Sequence, residues 1–324
     1  MTMRMYAIFG ITSLFLFIIH CTQPIDDRVD QTSETEVMPE QNDELTYTNI
    51  REPIRAGISY SEDAEELQSQ IENLLSNSKK IVGGNAPWGL IAPHYIRYSS
   101  QVTAEAFKQL EGFSYNRVIL ISNVHGAPSF YGIEIDSFDA WRTPLGLVEV
   151  DKSFADSIVK SDPLISLSST HHVTDFTLEN LLPYLQVVLN NNFKIVPVCI
   201  GNSFYIGQSN YSDYKRLSDA LLEFIDEGDL VVVSNDMSHN FSDAECETID
   251  LQMIDVIKES CIDKIQDFEQ QVQEQYNTSG KILCCSIDGI KVIVDIDHRK
   301  KNGNIEMLSR GIDANVGYAS MVFY

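Results

Sequence analysis

Hydrophobic positions along residues 49–324 switch repeatedly between a helical and an extended spacing. Leu67, Ile71, Leu74 and Leu75 fall on one face of a helix predicted over 64–75. Residues 89–92 form a short apolar strand that ends at Pro93-His94. A helical pattern over 102–110 is followed by a buried strand over 117–122. A helix is predicted over 178–189, bent at Pro183, which has no N–H to donate. Residues 193–200 and 229–234 are apolar enough to be strands covered on both faces, with a helix over 214–224 between them. An acidic helical pattern runs from 245 to about 276, and 316–324 closes the chain as a strand. This alternation predicts a single α/β domain, a central mixed sheet flanked by helices on both faces.

The first 48 residues follow a different pattern. Arg4 lies in a short positive start, and residues 6–19 are almost wholly apolar, too short for a membrane span of about 20 residues. Cys21 follows directly. Residues 1–21 are therefore expected to be a lipoprotein-type signal segment, with His20 standing where a small residue is usual. The expected location is the cell envelope, with a lipid anchor at Cys21; a secreted chain or an uncleaved hydrophobic anchor are the alternatives. Residues 22–48 are polar and acidic and predict a disordered tether.

Composition narrows the field of partners. The chain is 44% hydrophobic and carries a net charge of −24. Residues 1–50 hold eight acids against two bases, so the remaining 274 residues still carry −18. A surface this negative repels phosphate backbones and anionic lipids, which excludes nucleic acid and leaves the N-terminal anchor as the one route to a membrane. The six cysteines form no regular framework; Cys199, Cys246 and Cys261 are expected to be core thiols.

Three histidines share one kind of position. His94, His125 and His239 each come at or just past the carboxyl end of a predicted strand. Ligands of open α/β sheets bind beyond those ends. One imidazole there is ordinarily a surface or capping residue, but three converging suit a borderline transition metal completed by an anionic ligand. Asp236, three residues before His239, is placed to orient an imidazole. Cys284-Cys285 offers a thiolate, with one of the two expected to point inward.

These residues also carry a family resemblance, spread over nearly all of 51–324. Arg51-Glu-Pro-Ile-Arg-Ala-Gly57-Ile-Ser-Tyr60, Pro93-His94, Thr143-Pro144-Leu145-Gly146, Val150-Asp151, Thr177-Leu178-Glu179 before Pro183, Ser234-Asn-Asp236-Met-Ser-His239 and Gly317-Tyr318-Ala319-Ser320 resemble, in order, the motifs of the Memo family (AmmeMemoRadiSam system protein B). The resemblance implies a fold similar to that of class III extradiol dioxygenases, with a metal held by two His and a Cys. Carried over, the ligands are His94, His125 and Cys285, with Cys284 the alternative register. His239 takes the acid/base position, with Asp236 beside it. The chain departs from the family's pattern at Tyr95-Ile96-Arg97, at Asp175-Phe176, where a pocket histidine is replaced, and at Ser286. His171 and His172 lie near a position where the family often has a histidine.

The implied function is binding of one transition metal, Fe(II) or Cu, in a dioxygenase-like redox enzyme acting on a small molecule with O2. The alternative is a non-catalytic protein that uses the same pocket for metal handling or for binding a peptide or partner. A relative with no metal at all is a third.

Overall fold

The computed structural model describes residues 47–127, 129–201, 213–301 and 303–324; the expected signal segment with Cys21, and nearly all of the tether, lie outside the described residues. In chain order these residues form β1 (Ile50–Arg51), α1 (Ala64–Ser76), β2 (Gly89–Ala92), α2 (Ile96–Lys108), β3 (Arg117–Asn123), β4 (Ile133–Ile135), β5 (Ala140–Thr143), β6 (Gly146–Glu149), α3 (Lys152–Ser161), β7 (Ile165–Leu167), α4 (Leu182–Leu189), β8 (Lys194–Ile200), α5 (Asp213–Phe224), β9 (Asp229–Ser234), α6 (Asp243–Lys258), α7 (Ile262–Gln275), α8 (Ile287–Ile296), β10 (Ile305–Asp313) and β11 (Val316–Phe323). The main sheet is mixed and eight-stranded, in the order β10-β11-β2-β9-β3-β8-β4-β7, and β1-β5-β6 form a small second sheet.

Side-chain alternation along the central strands explains why helices cover both faces. Leu90, Val118, Leu120, Ile195, Leu230 and Val232 join one core with the apolar faces of α1, α2 and α4. Their neighbours Ile91, Ile119, Ile121, Val196, Val231 and Val233 join the other, under α5, α6, α7 and α8. Successive strand residues point to opposite faces, so strands apolar at every position can be satisfied only between two helical layers.

Strand order places the chemistry. β2 pairs in parallel with β9, and β9 in parallel with β3. His94, the Asp236–His239 turn and His125 therefore leave the same edge of three adjacent strands.

Two local expectations are corrected. Pro183 does not bend a helix: it sits in the first turn of α4, behind a 3-10 turn, where the missing N–H has no intrahelical partner to lose. The pattern over 245–276 is two helices, α6 and α7, broken where Ser260 turns to positive φ and Cys261 is extended. Ser260 Oγ donates to Asp297 Oδ2 (2.6 Å), which fixes the break. Cys199 and Cys246 are buried as expected, while Cys261 at the break is only half-buried.

Gly317 belongs to the recurring closing-strand motif, and its packing gives the reason. Its N–H donates to Ser238 O (2.8 Å) and its carbonyl accepts from Met237 N (2.9 Å). A Cβ there would overlap Asp250 Oδ2, while Asp250 Oδ1 accepts from Ser238 N (3.1 Å). Gly317→Ala must displace a buried carboxylate from the turn that carries His239. The expected cost is about 1–3 kcal/mol, as for other overpacked sites, read as a lower urea midpoint at unchanged m-value. A change below about 0.5 kcal/mol, typical of surface sites, contradicts this account.

Candidate metal centre

His94 is buried at the end of β2, and its ring is set from both sides. Ser234 Oγ donates to Thr177 O (2.9 Å), so its only proton is committed. It then accepts from His94 Nδ1 at 3.0 Å. That assignment leaves Nε2 with the lone pair, facing inward. His125 repeats the arrangement: Nδ1 lies 3.0 Å from the Asn123 carbonyl, which can only accept, so Nε2 again bears the lone pair. The two rings meet nearly edge to face, with centroids 4.9 Å apart.

Cys285 supplies the third atom. It is fully buried just ahead of α8, on a loop docked to the end of β9. Its N–H donates to Asp236 O (3.0 Å) and its Sγ accepts from Asp236 N (3.0 Å). Sγ lies 3.9 Å from His94 Nε2. The donor atoms of His94, His125 and Cys285 all lie within 4.8 Å of one another. A 3.9 Å edge is what two bonds of about 2.0–2.3 Å span at a wide angle, so one ion can bridge His94 and Cys285, while a separation as long as 4.8 Å exceeds two such bonds and would have to close for all three atoms to share it. Cys284 belongs to the core that includes α8, and Cys285 is the cysteine whose sulfur meets the two imidazoles.

Burial disfavours the charged form of these donors. Burial, reinforced by the neighbouring His125, holds the His94 imidazole well below its ordinary value and therefore neutral. Burial likewise drives the Cys285 thiol well above its ordinary value. A thiol in such a place ionises when a metal compensates the charge.

His239 lines the same pocket, with Arg55, Tyr95, Arg97 and Phe176, in a space of about 580 Å³. Its Nδ1 donates to Met237 O (2.7 Å), giving a third imidazole with its lone pair on Nε2. Burial lowers its pKa as well. Asp236 is buried, and burial raises its pKa. Its Oδ1 accepts from the backbone N–H groups of His94 (3.0 Å) and Tyr95 (3.4 Å), and Oδ2 lies 3.4 Å from His94 Nε2. The carboxylate thus fixes the β2–α2 turn and borders the donor set, while Met237 O orients His239.

Several supporting residues carried no role in the sequence. Asp175 Oδ2 accepts from His125 N (2.7 Å), and Asn180 Nδ2 donates to His94 O (2.9 Å). Asp288, its pKa pushed up to about 7 by burial, accepts from Asn123 Nδ2 (3.1 Å) and so steadies the carbonyl that orients His125. The Thr-Leu-Glu motif marked this region without showing what it touched. His172 does not line the pocket: it is buried, with Nε2 3.3 Å from Glu134 O and Nδ1 3.5 Å from Cys199 Sγ. His171 pairs with Glu134 Oε2 at 2.9 Å.

The sequence profile of the Memo-like proteins matches residues 51–322. A MEMO1 family protein of Methanobrevibacter smithii is 28% identical over 85% of this chain and 99% of its own length. One of Aquifex aeolicus is 29% identical over 85% of this chain and 97% of its own. One of Methanopyrus kandleri is 30% identical, covering 71% and 81%. A solved structure, an uncharacterized protein of Escherichia coli K12, superposes with a TM-score of 0.46 at 10% identity, over 73% of this chain and 99% of that one. That likeness is too weak to add to the argument.

The tautomers can be checked directly. In histidine-labelled protein stripped of metal, nitrogen NMR should show His94, His125 and His239 all protonated at Nδ1. His94 and His239 should stay neutral as the pH falls through about 6.5, where an ordinary imidazole takes up its proton. Ser234→Ala should disturb His94 alone; an Nε2–H form of His94 in the parent protein contradicts the assignment.

Proposed function

Because this chain belongs to the Memo-like protein family, we propose that it binds a single transition metal, Fe(II) or Cu, and uses it in redox chemistry on a small molecule. The observation that carries this reading is the donor set itself. Two imidazole Nε2 atoms and one cysteine sulfur converge; each imidazole is oriented by a hydrogen bond at its Nδ1, and the sulfur by one from Asp236 N. A mixed nitrogen and sulfur set suits these metals, whereas Mg or Ca would call for oxygens.

His94, His125 and Cys285 would hold the ion, which would supply a Lewis-acid or electron-transfer centre beside the pocket. The protein's own contributions follow from its geometry. Neutral His239 presents the Nε2 lone pair as a base for a substrate hydroxyl proton, and Met237 O stabilises the imidazolium that forms. Asp236 keeps the His94 turn in place, and its charge offsets that of a bound cation. Phe176 and Tyr95 add aromatic surface to the pocket lining. O2 is the proposed oxidant. Location at the cell envelope through Cys21 belongs to the same proposal and is supported by sequence alone.

Full-length protein purified anaerobically should contain about one equivalent of iron or copper, lost in Cys285→Ala and His94→Ala. His239→Ala should keep the metal and lose substrate-dependent oxygen uptake. Loss of metal in His239→Ala makes that residue a ligand, and absence of metal from reconstituted parent protein removes the reading. Ser234→Ala, which strips the partner from His94 Nδ1, should weaken metal affinity by roughly 10–100-fold in a chelator competition.

A further inference from the structure

Acids outnumber bases 47 to 23 in this chain, so an arginine ordinarily finds a carboxylate. Among the described residues Arg51, Arg117, Arg142, Arg216, Arg299 and Arg310 all do. Arg55 and Arg97 are the two described arginines without such a partner, and both line the pocket of His94, His125 and His239. Two unneutralised guanidinium groups at one mouth of an otherwise acidic molecule mark a place for an anion.

The details agree. The Arg55 guanidinium carbon lies 4.0 Å from the centre of the Phe176 ring. The imidazoles of His94 and His125 lie 6.0 and 5.9 Å from that same ring, centre to centre. Arg55 is thus one aromatic ring away from the donor set. Its Nε is buried with no acceptor. The nearby Glu179 carboxylate cannot serve, because Arg51, Ile54 N, Arg55 N and the Tyr60 hydroxyl already occupy its oxygens. Arg97 stands exposed in the first turn of α2, beside the same opening. Arg97 and Phe176 are also two of the positions at which this chain departs from the family's pattern.

We infer that the pocket takes a small organic carboxylate. Its carboxylate group is gripped by Arg55 and Arg97, its apolar body lies along Phe176, and its far end reaches His94 and His125. The inference rests on the pocket being the reactive site proposed above. A guanidinium fork matches a planar carboxylate in two hydrogen bonds. It also matches a phosphate, but Asp236 inside the pocket and the negative surface around it repel a dianion more strongly than a monoanion.

The test is calorimetric titration of the full-length protein, metal-loaded and metal-stripped, with benzoate, its neutral analogue benzyl alcohol, and phenyl phosphate. Benzoate should bind both forms and outbind the other two. Arg55→Met and Arg97→Met should each weaken benzoate roughly tenfold or more, the loss expected for a charge-assisted bond, and leave benzyl alcohol unchanged. Arg97 is exposed, so its replacement tests the idea even where Arg55→Met folds poorly. Equal benzoate affinity in parent and Arg97→Met, or tighter binding of benzyl alcohol or phenyl phosphate, overturns the inference. Benzoate binding that vanishes with the metal and ignores both arginines makes the carboxylate a metal ligand, which overturns this inference and leaves the metal reading standing. Arginine-dependent binding in a protein that takes up no metal does the reverse.

Discussion

The carboxylate of Glu179 is fully buried, and four donors from the segment 51–60 end on it: Arg51 Nη1 (2.8 Å), the N–H groups of Ile54 and Arg55, and the Tyr60 hydroxyl (2.7 Å). A buried charge survives only when paired and hydrogen-bonded, so this one group dictates the path of the chain's opening segment. Arg51 then clamps the other side, donating to His172 O and Asp175 O, both at 2.7 Å. Removal of either partner would leave an uncompensated buried charge, a loss of about 3–5 kcal/mol. Between these anchors, Asp175, Phe176, Thr177 and Asn180 reach the site: one holds His125, one walls the pocket, and two act on His94.

The cluster of His94, His125 and Cys285 is therefore positioned by backbone atoms as much as by its own side chains. The Asn123 and Met237 carbonyls, and the Thr177 carbonyl acting through Ser234, impose one tautomer on three imidazoles. Each carbonyl is fixed by the sheet or by the Glu179 segment. Pre-set lone pairs lower the ordering cost of binding a cation, which is why supporting contacts matter nearly as much as the ligands.

Charge acts at two ranges. The acidic surface as a whole discourages polyanions, yet the pocket mouth is locally basic, because Glu179 is saturated and Arg55 has no acid left to meet. Net charge governs long-range encounter, whereas the few groups lining a cleft govern what is held there.

The sequence alone determined the two-sided α/β sheet, because strands apolar at every position need cover on both faces, and it placed His94, His125 and His239 at strand ends, because a strand end is a local feature. The motif around Cys285 was equally legible, as was the family. It did not show the break at Ser260 or the first-turn place of Pro183, because helical periodicity continues across a turn and proline suits a first turn as well as a kink. The choice between Cys284 and Cys285, the histidine tautomers, the unpaired state of Arg55 and the burial of His172 away from the pocket were decided only in three dimensions. Each depends on which atoms from distant segments share a hydrogen-bond partner: Thr177 with Ser234, Glu179 with the opening segment, Asp236 with Cys285. Such pairings form when the sheet brings together residues with no periodic relation along the chain.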